Sequence, residues 1–108
     1  MELEISCQQT KTLLDGDAPP LLVDCREQSE HDTVSIAAAV LMPMSEIATR
    51  VGELAGREGE HVVVLCHHGG RSAQVAMWLR GQGFDNTQSM AGGIDQWAVE
   101  IEPGMARY

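Results

Sequence analysis

The run His61-Val62-Val63-Val64-Leu65-Cys66 constrains the fold more than any other segment of the chain. Successive residues of a strand point to opposite faces of the sheet. Three valines in a row therefore need apolar cover on both faces, as in the middle of a parallel sheet packed between helices. Parallel strands are joined by crossovers of a dozen or more residues, usually helical. The remaining sequence supplies them, because short β-rich runs alternate with helical stretches, the pattern of an α/β fold.

The other strands are expected at residues 3–5, 21–23, 40–42 and 86–90. Ser6 followed by Gln9 forms a capping box, which predicts a helix over Cys7–Leu14. Gly16 and Pro19-Pro20 end it. A helical turn is expected over residues 27–31. Ser45 is placed to cap a helix running to Leu54, with Ile47, Val51 and Leu54 on one face. A further helix is expected over residues 72–82, with Gly83 as its C′ residue. Gly92-Gly93 leads into a last helix that carries Ile94 and Trp97, and Pro103 bars its continuation. The 108 residues suffice for one core, so a single domain over residues 1–108 is expected.

Charge and cysteine content narrow the function. Seven basic residues against sixteen acidic ones give a net charge of −9. That balance disfavours a nucleic-acid backbone and an anionic membrane surface as partners. No apolar run approaches the roughly 18–20 residues of a membrane span. Met1-Glu2-Leu3-Glu4-Ile5 lacks the basic start of a signal peptide, so a cytoplasmic location is expected if this is the native start. A monomer is the default for a domain this small. Cys7, Cys25 and Cys66 are odd in number and widely spaced, which is no disulfide framework and contains no C-x-x-C pair. A free thiol in a reducing compartment can serve as a catalyst.

Cys66-His67-His68-Gly69-Gly70-Arg71-Ser72 sits between the most buried strand and a helix. Ligands of open α/β sheets bind beyond the carboxyl ends of the strands, where this loop falls. Two glycines let the backbone curl so that successive N–H groups point inward. The helix N-terminus adds partial positive charge at the same point. Such a cradle is expected to favour thiolate over thiol at Cys66, and to hold a persulfide or a small oxyanion. Arg71 either faces a substrate anion or braces the loop through an acid. Ser72 either caps the helix or bonds the Cys66 sulfur. His67 and His68 add charge below neutral pH or merely shape access. A metal held by Cys66, His67 and His68 is not expected, since adjacent residues rarely converge on one ion. Asp24 ends a neighbouring strand and is expected near the cradle, anchoring Arg26 or loop N–H groups. Cys25 is either a packing residue or a resolving thiol for oxidised Cys66.

These motifs resemble those of single-domain rhodanese-like sulfurtransferases. Leu22-Val23-Asp24-Cys25-Arg26-Glu27 is similar to the family's "(I/V)DVRE" strand end, with Cys25 where valine is common. Residues 66–72 fit the active-site loop C-x-x-G-x-R-S. Gly83-Phe84-Asp85-Asn86 and Ala91-Gly92-Gly93-Ile94-Asp95-Gln96-Trp97 resemble the "GF-x-N-V … GG-(I/F)-x-x-W" signature. Residues 30–43 depart from "GHI-x-GA-x-NIP": Val34-Ser35-Ile36 replaces Gly-His-Ile, Ala38-Ala39 stands for Gly-Ala, and Leu41 for Asn. A local shift of the turn is expected there, with the chemistry unchanged.

The resemblance implies a central, mostly parallel sheet of about five strands with helices on both faces. It implies that Cys66 takes the outer sulfur of a donor such as thiosulfate, or of a persulfide donor, and passes it to an acceptor. Cyanide is the acceptor in the assay, and a thiol, free or on a carrier protein, is the one expected in the cell. His67, His68, Gly69, Gly70, Arg71 and Ser72 would line the substrate, with Asp24 and Arg26 in support. No metal or organic cofactor is implied. Two alternatives stand beside this one. A persulfide carrier or sensor would use the same cradle without turnover. A cysteine-dependent phosphatase is the weaker of the two, because its loop is C-x5-R and this one is C-x4-R.

Overall fold

The computed structural model describes residues 1–108. In chain order the elements are β1 (Glu4–Ile5), α1 (Cys7–Leu14), β2 (Leu21–Asp24), α2 (Gln28–Thr33), β3 (Val40–Leu41), α3 (Ile47–Arg50) with a 3-10 turn (Val51–Leu54), β4 (Val62–Leu65), α4 (Gly70–Gly81), β5 (Thr87–Met90) and α5 (Gly93–Glu100). The five strands form one sheet in the order β1-β5-β4-β2-β3, and every pairing is parallel.

The valine strand is the centre of this sheet. On one side β4 pairs with β2, Leu21 opposite Val62 and Asp24 opposite Leu65. On the other it pairs with β5, Val62 opposite Thr87. All four β4 side chains are fully buried, each contributing roughly 1.5–3 kcal/mol by leaving water. Alternation divides them. Val62, Val64 and Cys66 pack with Leu21, Val23 and Cys25 of the neighbouring strand under Ile47, Leu54, Val75 and Leu79, which belong to α3, the 3-10 turn and α4. Val63 and Leu65 pack with Leu22 on the opposite face under Cys7, Ile94 and Trp97, from α1 and α5. Helices thus cover both faces, and no helix is long and apolar enough to cross a membrane.

The capping box at Ser6 and Gln9 forms as the sequence requires. Gln9 N–H donates to the Ser6 hydroxyl at 3.0 Å, and Ser6 N–H to Gln9 Oε1 at 3.1 Å. Three local expectations are corrected. Ser45 caps nothing; its hydroxyl donates to Glu27 Oε1 at 2.8 Å, and the helix expected behind it divides into α3 and the 3-10 turn. The helix after the loop begins at Gly70 rather than Ser72, because Gly69, with φ +111°, turns the chain into it two residues earlier. The strand expected at 40–42 is only two residues long.

The segment that departs from the family pattern folds without glycine. Ile36 is buried against α1 and α5, a turn closes from Ala39 N–H to the Ile36 carbonyl at 3.0 Å, and no non-glycine residue has a positive φ. The connections that leave β2 and β4 run to opposite sides of the sheet, toward β3 and β5, and Asp24, Cys25 and Cys66 lie at the carboxyl ends of these two strands. In sheets of this topology that edge is where a ligand site forms.

Candidate active site

Cys66 stops at the end of β4, and the chain curls back over its sulfur. Gly69 N–H donates to Sγ at 3.0 Å and Ser72 N–H at 3.3 Å. The Ser72 hydroxyl stands 3.4 Å from the same sulfur. Both N–H groups belong to the head of α4, whose first-turn donors have no intrahelical acceptor and are free to serve an anion. The sulfur therefore faces main-chain dipoles that suit a negative charge, although the residue is only 1% exposed.

Ser72 is the third residue of α4 and not its cap. Its hydroxyl lies 3.2 Å from the Gly69 carbonyl oxygen and 2.7 Å from the Ser89 hydroxyl on β5. Ser89 is a site residue that sequence reading missed. The adjacency of β5 to β4, which brings it there, is a matter of topology.

The loop is held from beneath by the start of α5. Ile94 N–H donates to the Cys66 carbonyl at 2.8 Å, and Asp95 N–H to the His67 carbonyl at 3.1 Å. This needs a glycine at position 93, where φ is +61° and a Cβ would come within 2.5 Å of the Cys66 oxygen and 2.4 Å of the His67 oxygen. The paired glycines were the available signal for this close approach.

Arg71 braces the loop. Its Nη1 and Nη2 bond Glu30 Oε1 and Oε2 at 2.7 and 2.8 Å. Hydrogen bonding from Arg71 holds the Glu30 carboxyl down at about 2. Glu30 on α2 lies 41 residues away in sequence, and no local pattern marks it. What places it is the buried pair behind it. Arg26 Nη2 meets Asp24 Oδ2 at 2.7 Å with both side chains shielded from solvent. The same guanidinium donates to the carbonyls of Glu30 and Val34 at 3.2 and 2.7 Å. Asp24 and Arg26 thus fix α2, and α2 presents Glu30 to Arg71.

The loop carries a stack of rings. His67 stacks on His68 and on Tyr108, with centroids 3.9 Å apart in each case. The Tyr108 hydroxyl donates to Glu30 Oε2 at 2.8 Å and accepts from Arg26 Nη1 at 3.0 Å. His68 Nδ1 lies 3.9 Å from Asp95 Oδ2, and Arg107 also bonds Asp95. Gly70 opens α4. Residues 66–72 run from the end of β4 through a tight turn into the first turn of α4, while Asp24 and Arg26 act on them through α2.

The sequence profile of the Rhodanese-like domain matches residues 6–100. The chain is 30% identical over 109 residues to the adenylyltransferase and sulfurtransferase MOCS3-2 of Zea mays, covering 96% of this chain and 23% of that protein. It is 30% identical over 99 residues to a candidate sulfur carrier protein, YrkF, of Bacillus subtilis, covering 92% of this chain and 52% of that protein. It therefore spans about a quarter to a half of these relatives' length. Among solved structures, SSP1007 of Staphylococcus saprophyticus superposes with a TM-score of 0.82 at 29% identity, covering 99% of this chain and all of the other. The chain belongs to the rhodanese-like domain family.

Proposed function

We propose that this chain is a sulfurtransferase whose Cys66 carries the sulfur as a persulfide. The Cys66 thiolate attacks the sulfane sulfur of a donor. The donor's sulfur–sulfur bond breaks, the leaving group departs with the electron pair (sulfite in the case of thiosulfate), and sulfur remains on Sγ. A thiol, or cyanide in an assay, then attacks that outer sulfur and frees Cys66. The observation that supports this reading is the pair of N–H donors on Sγ, from Gly69 and Ser72. A persulfide needs the same donors, since its terminal sulfur is anionic. Arg71 is spent on Glu30, which leaves no free guanidinium for a phosphate and speaks against a phosphatase.

Intact mass spectrometry after exposure to thiosulfate or an organic hydropersulfide tests the step. Wild type is expected to gain about 32 Da, one sulfur atom, reversed by cyanide with release of thiocyanate. Cys66→Ser is expected to gain nothing. Sulfur on Cys66→Ser would overturn the assignment. Similarity to a candidate sulfur carrier keeps a carrier role as the second reading. Delivery to the acceptor that stops at one sulfur per chain, with excess donor and acceptor present, would favour it over turnover.

A further inference from the structure

Cys25 is a buried nucleophile that sulfur transfer leaves idle. β2 and β4 are paired in parallel as far as Asp24 and Leu65. Cys25 N–H then donates to the Leu65 carbonyl at 3.0 Å, which carries the ladder one step further and sets Cys25 beside Cys66. Both side chains fall on the sheet face covered by α3 and α4, in one packed cluster. Neighbouring strands run roughly 4.8 Å apart, inside the roughly 4.4–6.8 Å range of Cα separations that a disulfide spans. Cys7, the remaining thiol, lies on the opposite face with its sulfur against the Ala91 and Gly93 carbonyls.

We propose that Cys25 is an internal resolving thiol that discharges the Cys66 persulfide as hydrogen sulfide when no external acceptor arrives. This rests on Cys66 being the persulfide carrier. The Cys25 sulfur attacks the inner sulfur, Cys66 Sγ. A Cys25–Cys66 bond forms, the bond to the outer sulfur breaks, and that sulfur leaves as hydrosulfide with the electron pair. The proton lost by Cys25 ends on the sulfide. The sulfane sulfur is the oxidant, so no other is needed. Two equivalents of a thiol reductant reopen the disulfide and are themselves oxidised to a disulfide, which completes a donor-to-sulfide cycle.

The surroundings of Cys25 set the pace. Burial, then the Cys66 sulfur and the Asp24 carboxylate, push its thiol up to about 12, while Arg71 on α4 pulls the other way. Only the thiolate attacks, and the departing hydrosulfide takes the proton that Cys25 gives up, so discharge is slow and nearly independent of pH from roughly 7 to 9. An acceptor that reaches the outer sulfur wins when present.

The test loads wild type and Cys25→Val with an organic hydropersulfide, whose outer sulfur passes to Cys66 as its thiolate leaves, removes the donor and follows the proteins with time. Valine conserves an apolar side chain at this fully buried position. In wild type the gain of about 32 Da is expected to decay to a species about 2 Da lighter than the reduced protein, with one equivalent of sulfide released and a Cys25–Cys66 peptide found on non-reducing digestion. The persulfide is expected to last at least about tenfold longer in Cys25→Val. A persulfide equally long-lived in both proteins, or decay in wild type without the Cys25–Cys66 peptide, overturns the inference and leaves the transfer reading intact. Failure of both proteins to gain sulfur overturns the persulfide reading and this inference with it. The peptide map uses wild type alone, so it decides the matter even if the valine variant does not fold.

Discussion

Gly93 lies against the carbonyl oxygen of Cys66, so that a Cβ at position 93 would fall 2.5 Å from it. The obstacle is backbone, and the φ of +61° is one that side chains resist. Gly93→Ala is therefore expected to cost about 2–4 kcal/mol of stability, and to push the loop off the start of α5. Sulfur loading should fall with it, because the N–H donors of Gly69 and Ser72 move relative to the sulfur. Denaturant titration and single-turnover loading measure the two effects. A variant with native stability and native loading would mean that the loop does not depend on α5.

Ser72 makes a more graded case. Ser72→Ala removes the hydroxyl 3.4 Å from the Cys66 sulfur but keeps the N–H at 3.3 Å. Loading is expected to slow about tenfold rather than stop. The Ser89 hydroxyl, buried and 2.7 Å from that of Ser72, loses its partner. The resulting stability loss is roughly 1–3 kcal/mol. Adding Ser89→Ala should restore part of the stability and none of the rate. A double variant as unstable as the sum of the two singles would show that the hydroxyls are not coupled.

The Glu30 pair gives stability a definite dependence on acid. Hydrogen bonding from Arg71 lowers the Glu30 carboxyl from 4.5 to about 2. A carboxyl depressed in the folded state stabilises the fold above its ordinary pKa, and loses that contribution as pH falls through its folded value. The contribution is expected to be whole above pH 4.5 and to fade toward pH 2, given the two values that bound the shift. Screening by solvent limits it to about 1–2 kcal/mol. Denaturation curves of wild type and Glu30→Gln should therefore differ by that amount at neutral pH and converge in strong acid. A difference independent of pH would assign the loss to packing.

The architecture was legible because it follows from local pattern. Three valines demand a doubly covered strand, Ser6 and Gln9 make a capping box, and Gly69-Gly70 announces the turn ahead of α4. The placement of Cys66 between a strand end and a helix start was legible for the same reason, since strand, turn and helix start are consecutive. The partners that hold the loop were not. Glu30, Ser89 and Tyr108 reach it through tertiary contacts from a helix 41 residues upstream, a strand 17 residues downstream, and the last residue of the chain. Ser45 shows the converse error. A serine before an apolar-periodic stretch reads as a cap, yet Glu27 offers its hydroxyl a carboxylate at 2.8 Å, and the cap is lost to a long-range bond.

Net charge and the state of Arg71 together decide how the site meets a free anion. The chain carries −9, and both terminal nitrogens of Arg71 are engaged by Glu30. A dianion such as thiosulfate is thus repelled at long range and finds no free guanidinium on the Cys66 loop. Screening by salt reaches over about 10 Å at 0.1 M, so the KM for thiosulfate is expected to fall several-fold as ionic strength rises. An uncharged donor, dimethyl trisulfide, should show no such trend. Glu30→Gln removes one negative charge and frees Arg71. It is expected to lower the thiosulfate KM about tenfold at low salt, with little effect on the trisulfide. Tight, salt-insensitive saturation by thiosulfate in wild type would mean that Arg71 leaves Glu30 for the substrate, and thiosulfate would then be a donor suited to this site.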